Sequence, residues 1–485
     1  MKIKLTLRIG EYETLIRLGL TVVFSITLGY LVFWGTKTAW ALLFSVLALL
    51  AYFIVTAKTD LETANTFLMY LTVFSIPAPF LVKFMGKDAF TLTTAMIFVV
   101  FLLLLIAHLR DGRKIIEGPA ILYVVPLLIF VNMSLSFALN PSPLDSSIRY
   151  YVANLSGLIL YFIILAAVKK DRQVNIIVAI TLVSLMIQAG IAFLQLRMPE
   201  LAQRLISPFG VRALKGYAPF GERVVRANGI VGDYELLAEM FFIGAILSLG
   251  LIYQTKKYFY AFPLFCCMGG IVFTKTRSSF ILLVLAFAFI YLVLLLAKKD
   301  TEKTALKTLL LILGGGVLTY VLFSQHFGYF MERLQAYFHS SRLLSPEAIN
   351  RKEVWQQALH VFLKKPSLFG MGMYDIGSLY IWVQPFHSLY LTLLYKMGFT
   401  GLLLHGVFWA ALFRYSYLAL RRRNLLKNWY IFFFLATAVL FMLIDSIKIE
   451  YLRYGHTIQF AWLLYGLLGA LIIQARKENE NSLVS

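Results

Sequence analysis

Apolar runs of about 17–22 residues recur along this chain, and each is long enough to cross a ~30 Å hydrocarbon layer as a helix. They fall near positions 18–34, 38–57, 65–85, 91–109, 118–139, 150–168, 175–196, 234–253, 258–274, 279–297, 304–325, 387–413, 429–445 and 454–474. A lipid layer offers no water to the backbone, so every N–H and C=O of a span must be paired inside the protein; runs of this length meet that demand as helices. The expected fold is therefore all-α, a polytopic integral membrane protein of about fourteen transmembrane helices. Composition agrees: 60% of the residues are hydrophobic and 14% charged, where a soluble domain carries roughly 25% charged residues. The 41 Phe and 27 Tyr suit aromatic belts at the two lipid–water interfaces. Soluble enzymes, disordered tails and disulfide scaffolds are excluded. The first run reads as an uncleaved signal anchor, because no small-residue cleavage site follows it and the next span begins almost at once.

The net charge of +21 has a topological reading. No basic soluble domain exists to carry nucleic acid, so no nucleic-acid partner is expected. Lys and Arg instead gather in alternate loops: RDGRK from Arg110, KKDR from Lys169, Lys256 and Lys257, Lys298 and Lys299, and RRRNLLK from Arg421. With both termini, that side holds roughly twenty-three Lys/Arg against about eight in the short loops opposite, which places both termini in the cytoplasm. Cys266 and Cys267 are adjacent within an apolar run and read as small packing residues.

Two segments break the rhythm of short loops, 198–233 and 326–386, and both fall on the outer side. They divide the chain into N-terminal spans (1–197), a first outer loop (198–233), central spans (234–325), a second outer loop (326–386) and C-terminal spans (387–485). Long loops between short connections usually carry function. In the second, Phe327, Phe330, Met331, Leu334 and Phe338 have the spacing of a surface-lying helix. From Ser345, Ser-Pro-Glu is a helix start, with Val354, Trp355, Ala358, Leu359 and Phe362 on one face and Pro366 as the stop. Neither an internal repeat nor an inverted pair of broken helices is visible, which argues against a secondary transporter.

The outer face collects the residues able to do chemistry. FTKTRSSF puts Arg277 at the outer end of a span, ERVVRANG supplies Arg223 and Arg226, and QPFHSLY opens another span with His387. Guanidinium groups are planar forks for phosphate oxygens and stay charged at any working pH; a histidine can accept a proton near neutrality. Together they suggest a diphosphate substrate and a general base. Each residue also has a plainer reading. Arg277 could snorkel at the interface, Arg223 and Arg226 could touch anionic lipid, and His387 could cap or pack a helix start. Gly370, Gly372, Gly398 and Gly401 could serve turns and close helix approach.

The order of these segments resembles the O-antigen ligase and polymerase family of bacterial envelope glycosyltransferases. The family's T-x-S-R, R-x-x-x-W, G-x-G-aromatic, H-N-x-Y-L and G-x-x-G-L motifs correspond to 274–277, 351–355, 370–374, 387–391 and 398–402. RANGIVGDYELLAEM, from Arg226, resembles the family's R-x-x-G-x-x-x-D-x-N-x-x-A segment. The sequence departs from the pattern at Thr276 (Ser expected), Ser388 (Asn expected) and Glu235 (Asn expected).

This resemblance implies a metal-independent, cofactor-free inverting transferase at the periplasmic face of the bacterial inner membrane. Its donor would be a glycan on undecaprenyl diphosphate and its acceptor a sugar hydroxyl, of lipid A–core in the ligases or of a second lipid-linked glycan in the polymerases. Arg226 and Arg277 would hold the diphosphate and His387 would deprotonate the acceptor, with Arg223, Arg351, Trp355 and Tyr390 as substrate contacts. The motif run around His387 points to a ligase, while length and span count lean towards a polymerase. A non-catalytic lipid-glycan carrier or flippase is the alternative from another class. It would need charged residues deep in spans, for which Glu239 and Lys396 are the main candidates.

Overall fold

The computed structural model describes residues 61–77, 81–84, 87–111, 118–140, 144–206, 215–217, 223–296, 346–364, 366–373, 386–421, 427–451 and 454–484, with the single positions 310, 314, 317 and 321. The spans expected at 18–34 and 38–57 and the surface helix at 327–338 lie outside these residues, as does the span at 304–325 apart from those four helical positions.

The described chain is a helical membrane protein. In order it runs α1 (Leu61–Ser75), a hairpin of β1 (Leu81–Phe84) and β2 (Lys87–Thr91), α2 (Leu92–Asp111), α3 (Ile121–Leu139), α4 (Leu144–Ala167), α5 (Asp171–Arg197) and α6 (Pro199–Ile206). A second hairpin, β3 (Lys215–Tyr217) with β4 (Arg223–Val225), precedes α7 (Tyr234–Thr255), α8 (Ala261–Thr274) and α9 (Arg277–Leu296). After α10 (Pro346–Lys364) come α11 (Leu389–Arg421), α12 (Trp429–Asp445) and α13 (Gly455–Val484). Seven helices are long and apolar enough to cross a membrane, within α3, α4, α5, α7, α9, α11 and α13, and four shorter apolar helices accompany them. The protein is thus a multi-pass membrane protein.

Sequence expectation and structure agree closely at Trp429–Asp445, which is both the expected run and helix α12. They part at 65–85. Helix α1 stops at Ser75, and Leu81–Phe84 pairs antiparallel with Lys87–Thr91. Pro77 and Pro79 explain the stop, since proline lacks an N–H and disfavours helix in the residue before it.

Helices α4 and α13 lie side by side, α7 is enclosed by α5, α8, α9 and α12, and α3 packs on α11. Tyr161 of α4 gathers its neighbours: it meets Phe408 of α11 and Trp462 of α13 edge-on at 5.5 and 5.6 Å, and its hydroxyl donates to the Leu122 carbonyl of α3 at 2.8 Å. Gln459 of α13 donates to the hydroxyls of Thr94 and Ser156, each at 2.9 Å, tying α2 and α4 to it. Outward stripes such as Val124, Leu127, Leu128, Val131 and Leu135 on α3 remain exposed. An apolar stripe of that kind suits a hydrocarbon neighbour.

Helix α11 is interrupted. Gly398 adopts φ 72° and ψ −171°, which breaks the helical ladder. The freed carbonyls are claimed from within the protein: Asn132 donates to the Met397 carbonyl at 3.0 Å, Ser136 to the Lys396 carbonyl, and the Met371 amide to the Tyr395 carbonyl at 2.7 Å. The Gly370 turn lies directly on this break. A Cβ at Gly370 would strike the Lys396 carbonyl, and one at Gly398 the Leu368 carbonyl, and both glycines have positive φ. Two chain segments can approach this closely only where neither carries a side chain.

Candidate functional site

Hydrogen bonds join the turn before α7 to α5 and to the end of α8, the start of α9 to the start of α7, and the start of α11 to the end of α12. Gln188 and Gln195, two turns apart on α5, hold the turn after Arg226. Gln195 accepts from the amides of Asn228 and Gly229 at 3.0 Å each, and Gln188 accepts from Ile230 at 2.9 Å. The Ala227 amide then donates to the Phe273 carbonyl at 3.2 Å. That bond lays the Arg226 segment against the T-K-T-R turn. Thr276 closes the same join by donating to the Tyr234 carbonyl at 3.5 Å.

Asp233 has a local task. As the N-cap of α7 it accepts from the amides of Glu235 and Leu236 at 2.9 and 3.2 Å, satisfying donors that a helix start leaves open. Tyr234, the first residue of α7, presents its ring to Arg226, whose guanidinium carbon sits 4.6 Å from the ring centre. Such stacking orients a guanidinium while its N–H fork keeps its charge. Arg277 is the first residue of α9 and is half-buried.

Lys275, between them, carries a role that its place in FTKTRSSF did not reveal. It caps α8 with φ 56°, and burial, reinforced by the Arg226 guanidinium, holds its ammonium below the usual lysine range. Arg226, Lys275 and Arg277 thus bring like charges to the N-termini of α7 and α9, whose helix dipoles add positive potential. A cluster of this kind is complementary to an anion.

His387 lies two residues before α11 and meets the start of α7 through Glu235. Its backbone is clamped on both sides: the Trp355 indole donates to the Phe386 carbonyl at 2.7 Å, and the Leu389 amide donates to the Ser446 carbonyl at 2.9 Å. The clamp maintains φ 48° at His387, a conformation costly for a residue with a side chain and found disproportionately at functional sites. The imidazole Nδ1 lies 3.7 Å from a Glu235 carboxylate oxygen, with side-chain exposures of 23% and 21%. This contact joins residues 152 positions apart, and only the fold brings them together.

The remaining sequence candidates are less central. Arg223 lies in β4, opposite Tyr217. Arg351 lies in α10, of which the backbone alone is described at that position. Helix α10 matches its expected start and its stop at Pro366, and Ala358 packs with Phe386 and Tyr395 while Leu359 turns outward. Trp355 and Tyr390 both commit their polar atoms to backbone carbonyls, the Tyr390 hydroxyl donating to Leu443 at 2.7 Å. Among the described residues no three of His, Cys, Asp and Glu gather to hold a metal ion.

Two buried charges lie beneath the site. Lys396 sits 3.6 Å from Glu450 and 3.4 Å from the centre of the Tyr150 ring. Glu239 lies beside Asp445 and Ser279, and Lys448 pairs with Asp445 at 2.5 Å. Of the two intramembrane residues named by the carrier alternative, Lys396 is thus paired with Glu450, whereas Glu239 lies beside a second carboxylate.

A multi-pass membrane protein whose helix ends assemble basic groups opposite a histidine is the class that fold and site define. Residues 262–406 match the family model described as Wzy_C, O-antigen ligase, so the chain carries a domain of that family. Members of this family are enzymes that transfer lipid-linked glycans. The match spans Lys275, Arg277, α10, the Gly370 turn, His387 and the break at Gly398, and leaves Arg226 outside it. A search of curated proteins found no match.

Proposed function

We propose that this protein is a periplasmic-face, metal-independent inverting glycosyltransferase that moves a glycan from undecaprenyl diphosphate to a sugar hydroxyl. The acceptor we assign is lipid A–core, which makes the protein an O-antigen ligase of the bacterial inner membrane. The observation that carries this reading is the joining of the Arg226 turn, the T-K-T-R turn and the His387 turn at one end of the bundle. Arg226 and Arg277 hold the donor diphosphate there, and charge grows on that diphosphate as its bond to the sugar breaks. Fixed cations and helix N-termini lower the barrier by meeting that charge without having to reorganise. His387 takes the proton of the acceptor hydroxyl as its oxygen attacks the anomeric carbon; a positioned base of this kind contributes about 10²–10⁴-fold. Arg223, Arg351, Trp355 and Tyr390 line or support the acceptor side.

About fourteen spans, the five-part division at 1–197, 198–233, 234–325, 326–386 and 387–485, and cytoplasmic termini complete the proposal. The sidedness rests on the distribution of Lys and Arg between alternate loops.

The test uses purified protein in detergent with EDTA and an undecaprenyl-diphosphate glycan, with and without lipid A–core. A shifted core band on a gel is the expected product. A lengthening lipid-linked ladder without core would instead assign a polymerase, and neither product with matched glycans and folded protein would overturn the transferase reading.

A further inference from the structure

We propose that Glu235 is a positioning residue for His387, holding the imidazole in the tautomer that leaves Nε2 as the proton acceptor. The inference rests on the transferase reading above and concerns how its base is held. Three observations carry it. The Glu235 carboxylate lies 3.7 Å from Nδ1 of the ring. Glu235 is itself fixed, because its amide is held by Asp233 at the start of α7. The His387 backbone is clamped by Trp355 and Ser446 in a strained left-handed conformation, so the ring's base is immobile and its rotation about the side-chain bonds is what remains to be set.

A neutral imidazole carries one N–H and one lone pair, and the partner of one nitrogen decides which is which. With Nδ1–H directed at the carboxylate, the lone pair resides on Nε2. During transfer the acceptor hydroxyl proton moves to Nε2, the acceptor oxygen bonds the anomeric carbon, and the bond from that carbon to the diphosphate oxygen breaks. The electron pair of that bond leaves with undecaprenyl diphosphate. The resulting imidazolium keeps its Nδ1 proton and faces the adjacent carboxylate. The 3.7 Å separation exceeds a good hydrogen bond, and catalytic contacts of this type commonly shorten once substrate is bound.

The motif pattern sets Asn where this chain has Glu235, and Asn again where it has Ser388. An Asn side chain is one methylene shorter and carries no charge. The longer, charged side chain reaches across to the ring from α7, so support for His387 comes here from a different helix than its own.

The experiment measures kcat and donor KM in the detergent assay for Glu235→Gln, Glu235→Asn, His387→Ala and the double variant Glu235→Asn/His387→Ala. Gln keeps the reach and an acceptor oxygen; Asn keeps a good helix-start residue and loses the reach, so both variants retain α7. Expected are a kcat loss of about tenfold for Gln and about 10²-fold for Asn. Donor KM should stay within about twofold, and the double variant should be no slower than His387→Ala, because residues acting as a unit are not additive. Glu235→Asn with full kcat, or a double variant slowed by the product of the two single losses, overturns the positioning role while His387 stays the base. Full activity in His387→Ala overturns the transferase reading of the histidine itself, and this inference with it.

Discussion

Two pairings of a basic with an acidic side chain stand nine residues apart on one stretch of chain, and their separations are nearly equal. His387 and Glu235 are 3.7 Å apart with side chains 23% and 21% exposed; Lys396 and Glu450 are 3.6 Å apart with 2% and 4% exposed. Distance therefore does not distinguish their roles, but surroundings do. The first pair is half-buried at the start of α7, on left-handed backbone held by the Trp355 indole and the Ser446 carbonyl. The second is sealed between α4, α11 and the chain after α12, with Tyr150 closing one side. An exposed pair is worth little to stability and is accessible to substrate; a buried pair is costly to break and inaccessible. One pair suits chemistry and the other suits architecture.

The largest effect that would sharpen this contrast belongs to the buried pair. Lys396→Met leaves the Glu450 carboxylate enclosed without its partner and should cost about 3–5 kcal/mol, read as a fall in the thermal unfolding temperature in detergent. Lys396→Met/Glu450→Leu should recover most of that loss. If the single variant unfolds where the wild type does, the buried pair is not structural.

Next is the helix break that supports Lys396. Gly398→Ala places a Cβ on the Leu368 carbonyl in a left-handed conformation and should destabilise by about 1–3 kcal/mol, lowering transfer and unfolding temperature together. Trp355→Phe removes the donor to the Phe386 carbonyl and should cost about 1 kcal/mol. It should slow transfer more than it lowers stability, because the clamp acts on His387.

Lys275 gives the smallest change and the most specific one. Burial and Arg226 hold its pKa below the ordinary lysine value, so folding disfavours its charged form and a bound anion would restore it. As pH rises, the charge is therefore lost earlier than for an exposed lysine. Donor binding should therefore weaken on the alkaline side at lower pH than a solvated lysine would give. Lys275→Gln should abolish that limb, weaken donor binding about tenfold and leave stability equal or slightly higher. Binding with the same alkaline limb in Lys275→Gln would remove Lys275 from the anion site.

The same contrast separates what was legible in the sequence from what was not. Span positions were, because twenty apolar residues announce themselves locally: α12 begins and ends where its run does. The start and stop of α10 were legible in Ser-Pro-Glu and Pro366 for the same reason. Arg226, Arg277 and His387 could be singled out by residue type and motif order, yet their meeting depends on bonds such as that from Ala227 to Phe273 across 46 positions. Gln188 and Gln195 sit in an apolar run and announce nothing until the Arg226 turn is laid against them. Glu235 stood out only as a departure from a motif, and its partner lies on another helix. Gly370 and Gly398 could be singled out as glycines for turns or close approach, but their meeting could not, because the Gly370 turn is brought from outside the helix. Pro77 and Pro79 were in view, but hydropathy alone carried the expected span past them.

The central claim is that His387 works while the buried pair beneath it holds the fold, and the most direct test is transfer rate and unfolding temperature measured together on His387→Ala. The expected result is a rate at least about 10²-fold lower with the unfolding temperature unchanged. Transfer at the wild-type rate by folded His387→Ala protein would contradict it.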